Sequence, residues 1–252
     1  MNSEKFQWSQ AVPGKFINSD EIHVWRVFLD VTTDEFERLR ESLSVDESAR
    51  AERFHFEKDR NHFIAARGTL RKIVGSYLNK RPGKICFEYG PHGKPMLAHV
   101  AGDDGIFFNL SHSGSLALYA VTLRKKIGID IENIRDYINV RQVAGQFFSQ
   151  NEISSLEKID INKRSELFFQ YWTRKEAFLK ATGEGISFPM DQCDVSLISG
   201  SVWSPVIVQD NNRKISSLYV QDLFPGNGYA AAIAVEGGDC NISCWHFSNR
   251  CD

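Results

Sequence analysis

Apolar residues along the chain fall into short runs bounded by turn residues and into longer stripes of helical spacing, the two kinds mixed throughout. Ile22 to Leu29, Ile106 to Asn109, Ser115 to Leu123 and Lys126 to Glu132 read as strands, as do segments near Asp194 to Leu197, Val206 to Val208, Leu218 to Gln221, Tyr229 to Val235 and Ile242 to Phe247. Thr33-Asp34-Glu35-Phe36-Glu37 opens a helix, with a capping residue ahead of acidic first-turn positions. A longer helical pattern runs from near Asp46 to Tyr77, with room for a break. Its Phe54, Phe63, Ile64, Leu70, Ile73 and Val74 form a stripe to bury. Arg50, Arg53, Arg60, Arg67, Arg71 and Lys72 cover the remainder, and most of these arginines are expected on a solvated face. Helices are expected again over Val140 to Ser155 and Arg164 to Thr182, while Pro82-Gly83 and Tyr89-Gly90-Pro91-His92-Gly93-Lys94-Pro95 are turn chemistry.

Each half mixes helices with strands of antiparallel character, which predicts an α+β fold. There is no internal repeat, low-complexity tract or Ser/Gly linker, so the halves should pack closely. A division at Arg124-Lys125 gives an N-terminal half, 1–124, and a C-terminal half, 125–252.

Charge changes this picture little. With 30 Lys+Arg against 32 Asp+Glu, nothing in the total advertises nucleic acid or an anionic membrane as partner, so any phosphate site must be local. The N-terminus lacks a basic patch followed by an apolar run, and no apolar segment has the length to span a bilayer, so a soluble cytoplasmic protein is expected. Five cysteines at irregular spacing fit reduced thiols better than a disulfide framework. Cys240, Cys244, His246 and Cys251 make a poor zinc candidate, because the CxxC pairs of such sites are missing. Asn241-Ile242-Ser243 is a glycosylation sequon by pattern only.

The acids supply the first candidate chemistry. With Ile127, Ile129 and Ile131 facing a core, the period of two sends Asp130 and Glu132 together to the opposite face of their strand. Gly128 lets another backbone or a ligand come close. On the helix through Trp172 to Lys180, Glu176 and Lys180 are four residues apart and share a face. Three carboxylates beside a lysine suit a divalent, oxygen-loving ion holding a phosphate ester, since magnesium is usually bound by a few carboxylates plus substrate phosphates and water. Taken singly, the same residues are an amphipathic strand and a surface i,i+4 ion pair. Phe108-Asn109-Leu110-Ser111-His112-Ser113-Gly114 reads as a strand end entering a small-residue turn, able to cradle an anion with its N–H groups and hydroxyls while His112 donates to phosphate. Its plain alternative is a Ser/Gly hairpin with an incidental histidine. Gly93-Lys94-Pro95 is either a loop or a rigid turn presenting one ammonium.

The ordered set Gly93-Lys94-Pro95, Phe108 to Gly114, Ile127-Gly128-Ile129-Asp130-Ile131-Glu132 and Trp172-Thr173-Arg174-Lys175-Glu176-Ala177-Phe178-Leu179-Lys180 resembles the surfactin-synthetase-activating (Sfp) type of 4'-phosphopantetheinyl transferase. The resemblance extends to Arg53-Phe54, to Phe147-Phe148-Ser149 with Glu152, and to Gly183-Glu184-Gly185-Ile186-Ser187-Phe188-Pro189, from roughly residue 20 to the last strands. It implies two similar α+β halves related by pseudo-twofold symmetry, with coenzyme A in the cleft between them. Asp130, Glu132 and Glu176 fall on the family's metal acids, and magnesium, or manganese in its place, is the implied ion. The implied coenzyme contacts are Arg50, Gly93, Lys94, Pro95, Ser111, His112 and Lys180, with Arg50 reaching the 3'-phosphate. The chain departs from the pattern at Glu47, where some members carry another base, and at Gln146, where an arginine is common.

The activity so implied is transfer of 4'-phosphopantetheine from coenzyme A to a serine of an apo acyl or peptidyl carrier protein, leaving 3',5'-ADP. Glu176 and Lys180 are the catalytic pair, with Glu152 a rival for the base. Other readings of the same acids are a diphosphate hydrolase and a coenzyme- or carrier-binding module without turnover. Both halves of a cleft sit in one chain, so a monomer suffices. The segment after Glu132 is expected at the carrier surface, with Ile134, Tyr137 and Ile138 as an apolar patch and Arg135 and Arg141 steering an acidic carrier.

Overall fold

Two five-stranded sheets form the centre of the protein. The first has the order β1 (Trp8–Gln10), β12 (Asn241–His246), β2 (Glu21–Phe28), β6 (Leu116–Leu123), β5 (Ile106–Ser113). The second has the order β7 (Ile127–Asn133), β11 (Tyr229–Glu236), β10 (Lys214–Leu223), β9 (Ser204–Val208), β8 (Cys193–Asp194). A small hairpin pairs β3 (Phe87–Tyr89) with β4 (Pro95–Leu97). The structure is a computed structural model and describes residues 7–10, 16–98, 105–135, 139–185, 188–208 and 214–247, with only the backbone of Lys214 and Ile215. Ladders among these are antiparallel except those of β12, which runs parallel to β1 and β2 and so returns the end of the chain to the first sheet.

Alternation along the strands decides the layers. Ile22, Val24, Leu116, Leu118 and Ala120 of the first sheet meet Ile127, Ile129, Ile131, Ala231, Ile233 and Val235 of the second, forming a core between the sheets. The intervening residues face outward to helices. Trp25, Val27, Ala117, Tyr119 and Val121 pack against Ala65, Ala66, Leu70, Ile73 and Val74 of α3 (Glu57–Leu78), which α1 (Thr33–Glu41) and α2 (Val45–Ala51) flank. On the other side Ala230, Ala232 and Ala234 lie under Ala177, Phe178 and Ala181 of α6 (Ile161–Thr182), beside α4 (Val140–Phe147) and α5 (Gln150–Lys158). The fold is α+β, and its halves repeat one plan. Each lays a 22-residue helix across its sheet and stops it with a left-handed residue, Asn79 (φ 49°) after α3 and Gly183 (φ 79°) after α6.

Burial departs from expectation on α3. Arg67 and Arg71 are not on a solvated face: they are 6% and 2% exposed, drawn inward by Glu47 of α2, itself 1% exposed. Arg71 Nε donates to Glu47 Oε2 at 2.6 Å, and its Nη1 donates to the carbonyl oxygens of Pro82 (3.1 Å) and Ile85 (2.8 Å). Arg50 and Arg53 are exposed as read.

Glu152 is a structural residue and not a rival base, because it is wholly buried. One carboxylate oxygen accepts the N–H of Ser149, closing the capping box of α5, and the other accepts the N–H of Val195. Lys175 of α6, 1% exposed on its side chain, pairs with it at 2.9 Å and also donates to the carbonyl of Met190 at 2.8 Å. Removing one member of a buried pair strands the other charge, which typically costs about 3–5 kcal/mol. Glu152→Ala should therefore lower the urea midpoint steeply. A midpoint equal to the parent's would show that the pair does not hold α5 to α6.

Candidate functional site

Edge strands of the two sheets, β5 and β7, meet through side chains rather than a backbone ladder. On β5 the polar residues Asn109, Ser111 and Ser113 recur with period two and are all buried. Asn109 Oδ1 accepts the N–H of Ile129 at 2.8 Å. Ser111 donates to Asp130 Oδ1 at 2.8 Å. Ser113 accepts the N–H of Asn133 at 3.0 Å and donates to Glu132 Oε2 at 2.9 Å. The segment is thus a strand through Ser113 and not an anion-cradling turn. As the edge strand of its sheet it gives alternate N–H and C=O groups to the ladder with β6, and its polar side chains meet the second sheet. Asn109 and Ser113 take roles that residue types alone did not assign; the Asn-x-Ser-x-Ser alternation was the available signal.

Asp130 and Glu132 do lie on the face of β7 opposite the isoleucines, but that face is covered by α6, and Asp130 is only 3% exposed. Gly128 explains the closeness. A Cβ there would stand 2.0 Å from the carbonyl oxygen of Ala177 and 2.5 Å from the amide nitrogen of Ala181. Helix α6 therefore sets Glu176 and Lys180 directly above the acids. Lys180 reaches across to β7 and β5 instead of closing its i,i+4 pair: its Nζ donates to Asp130 Oδ1 at 2.6 Å and to Ser111 Oγ at 2.9 Å.

Electrostatics mark this group as unbalanced. Burial raises the Glu176 carboxyl, with Asp130 and Glu132 pushing it further and Lys180 opposing. Burial likewise raises Glu132, partly offset by the Ser113 hydrogen bond. Asp130 Oδ2 is buried and has no hydrogen-bond partner. As they stand, no three carboxylate, imidazole or thiol groups among the described residues are arranged to hold a metal ion, the Cys240, Cys244 and His246 group included. Yet the donor set fits one: three carboxylates of mutual repulsion, one with an unmet oxygen, suit a hard divalent cation.

A pH dependence follows from the sign of these shifts. The folded protein holds protons on Glu132 and Glu176 at pH values where the unfolded chain, near the ordinary glutamate value of about 4.3, has released them. Their contribution to stability is therefore lost as pH rises from that value through the raised ones. Glu176→Gln removes one such group, so its stability should fall less steeply with pH than the parent's. Urea unfolding at a series of pH values from about 4 to 8 checks this, and parallel curves would contradict it.

Beside the acids opens a cleft of about 630 Å³. Arg50, Gly93, Lys94, Pro95, Ser111, His112, Glu176 and Lys180, all singled out by sequence, line it together. Arg67 and His92, which sequence left as helix surface and turn, line it too. His112 projects from the face of β5 away from the serines, and burial, with His62 and Lys180 nearby, lowers its pKa. Lys94 is not a free ammonium at the turn tip. It donates to the carbonyl oxygens of Ile127 at 3.2 Å and of Lys180, tying the β3–β4 turn to β7 and α6. Burial brings it down to about 8, helped by Lys180 and Lys126, while the two carbonyls favour its charged form.

Past Glu132, Ile134 packs on the core under α6, so it is not an open apolar patch. Arg135 and Arg141 are exposed. Tyr137 and Ile138 lie outside the described residues, as does Cys251. Among the described residues no helix is long and apolar enough to cross a membrane.

The family model described as the 4'-phosphopantetheinyl transferase superfamily matches residues 126–234, and that described as 4'-phosphopantetheinyl transferase, N-terminal, matches residues 30–124. The chain is 38% identical over 240 residues to the 4'-phosphopantetheinyl transferase HetI of Nostoc sp., spanning 95% of this chain and 98% of that protein. It is 28% identical over 176 residues to the 4'-phosphopantetheinyl transferase Sfp of Bacillus subtilis, spanning 69% of this chain and 76% of that one. The crystal structure of Thermotoga maritima holo-[acyl-carrier-protein] synthase overlaps 45% of this chain and 63% of its own, at 19% identity and a TM-score of 0.35.

Proposed function

Because the chain belongs to the 4'-phosphopantetheinyl transferase superfamily, we propose that it moves the 4'-phosphopantetheine group of coenzyme A to a serine of an apo acyl or peptidyl carrier protein and releases 3',5'-ADP. The observation that carries this reading is one cleft lined by Arg50, Arg67, His92, Lys94, His112 and Lys180, with Glu176 on its wall and the other acids alongside. A polyanion is what such a lining receives. In this reading residues 1–124 supply the coenzyme contacts Arg50, Gly93, Lys94, Pro95, Ser111 and His112. Residues 125–252 supply the acids and α6, with β12 returned to the first sheet.

Asp130, Glu132 and Glu176 would hold magnesium or manganese. When bound, such an ion supplies positive charge to the diphosphate and to the phosphorus under attack. The chain's own residues do the rest. Glu176 takes the proton from the carrier serine hydroxyl. Lys180, pinned by Ser111 and Asp130, opposes the charge that gathers on the departing nucleotide, and a cation fixed in advance is worth most there. Lys94 fixes the β3–β4 turn so that Gly93 and Pro95 form the cleft wall. Release of 3',5'-ADP from coenzyme A should require an apo carrier. Release without any carrier would favour a diphosphate hydrolase, and none with diverse carriers would favour a binding module.

Arg135 and Arg141, both exposed after the acid strand, are suited to steer an acidic carrier. Reversing both charges should raise the KM for the carrier and weaken its salt dependence, with the KM for coenzyme A unaltered. Equal carrier kinetics in variant and parent would remove this surface from the account.

A further inference from the structure

We propose that Arg67, positioned by Glu47, is a second guanidinium contact beside Arg50 for the 3'-phosphate of coenzyme A. This rests on coenzyme A being the donor.

The chain gives Arg67 no complete set of partners. Its side chain is buried and lines the cleft, yet Nη1 meets no hydrogen-bond acceptor. A buried charged donor left unmet is costly, so an oxygen from outside the chain is the expected partner. Glu47 does not supply it. Its Oε2 is taken by Arg71 and by the N–H of Ser44, and its Oε1 stands 3.6 Å from Arg67 Nε without a hydrogen bond. One carboxylate therefore faces two guanidinium groups, which leaves positive charge in the buried cluster.

Aromatic rings fix where that charge points. The guanidinium carbon of Arg67 lies 5.6 Å from the centre of the Phe63 ring and 5.6 Å from that of Tyr89, and that of Arg50 lies 5.5 Å from the same Phe63 ring. Rings that hold guanidinium faces leave the N–H edges for a ligand. Two arginines sharing one ring make a fork suited to a phosphate monoester, whose dianion accepts several charge-assisted hydrogen bonds. Coenzyme A carries one monoester, at the 3' position. Its diphosphate belongs with the other charged group of the cleft, where Lys180, His112 and the acids influence one another.

The test is steady-state transfer to an apo carrier from coenzyme A and from 3'-dephospho-coenzyme A, for the parent, Arg67→Gln and Arg67→Lys. The parent should prefer coenzyme A by roughly tenfold to a hundredfold in kcat/KM. Arg67→Gln should remove most of that preference by raising the KM for coenzyme A alone, and Arg67→Lys should keep part of it. If Arg67→Gln weakens both donors by the same factor, Arg67 is a packing residue and the proposal is wrong. Should Arg67→Gln not fold, Arg67→Lys decides, and an unchanged preference there overturns the proposal. A parent that uses both donors equally overturns it while transfer stands. A folded parent that transfers from neither donor refutes the coenzyme A reading itself.

Discussion

Replacing Glu176 with glutamine is expected to lower kcat for carrier modification by about a thousandfold, within the range seen when a positioned base or charge-stabilising group is lost. The substitution keeps size and hydrogen-bonding capacity but removes both a negative charge from the acid group and the proton acceptor. The fold should survive it. Glu176 is half-buried, its carboxyl is pushed up by burial and by Asp130 and Glu132, and it is not part of the α6 core formed by Ala177, Phe178 and Ala181. The melting temperature should stay near the parent's or rise, because relieving like-charge repulsion stabilises. Rates by nucleotide release and melting by scanning fluorimetry decide the matter. A kcat within tenfold of the parent's would take Glu176 out of the mechanism. A collapse in melting temperature would instead make it a structural residue.

Gly128→Val should lower both stability and activity. The first side-chain carbon would stand 2.0 Å from the Ala177 carbonyl oxygen and 2.5 Å from the Ala181 amide nitrogen, both of them backbone. No rotamer change relieves that contact, so α6 must lift off β7. Overpacking a core typically costs 1–3 kcal/mol, and a clash with helix backbone belongs at or above about 3 kcal/mol. For a chain of this size that is a fall of roughly 6–12 °C in melting temperature. Activity should fall further than stability, since Glu176 and Lys180 ride on the displaced helix, and a shift of about 1 Å can cost a hundredfold. Gly128→Ala should show the same two effects at smaller size. A Gly128→Val protein that melts with the parent would contradict the packing of α6 on β7.

These two residues also show how far the amino-acid order could be read. The Ile127, Ile129 and Ile131 triplet and the period of two place the acids on one face, and that survives. What alternation could not show is that the opposite face is buried too. An acid pair on a strand looks the same beside water or beneath a helix, and only Gly128 hinted at the close approach. Asn109, Ser111 and Ser113 misled for a related reason. Asn, Ser and Gly are turn formers, but here their side chains answer the polar groups of a second edge strand, a partner distant in sequence. Arg67 and Arg71 looked solvated because Glu47, which draws them in, lies on another helix. Local pattern thus located the elements and most of the cleft residues. Long-range pairings of buried charge, such as Glu152 with Lys175, left no periodic trace.

The most direct measurement of the central claim is the intact mass of an apo carrier protein incubated with this protein, coenzyme A and magnesium. The carrier should gain one phosphopantetheine group, and replacing its acceptor serine with alanine should abolish the gain, as should omitting coenzyme A or adding a chelator. Carriers of several types that all remain unmodified by folded protein, with coenzyme A intact, would contradict the account.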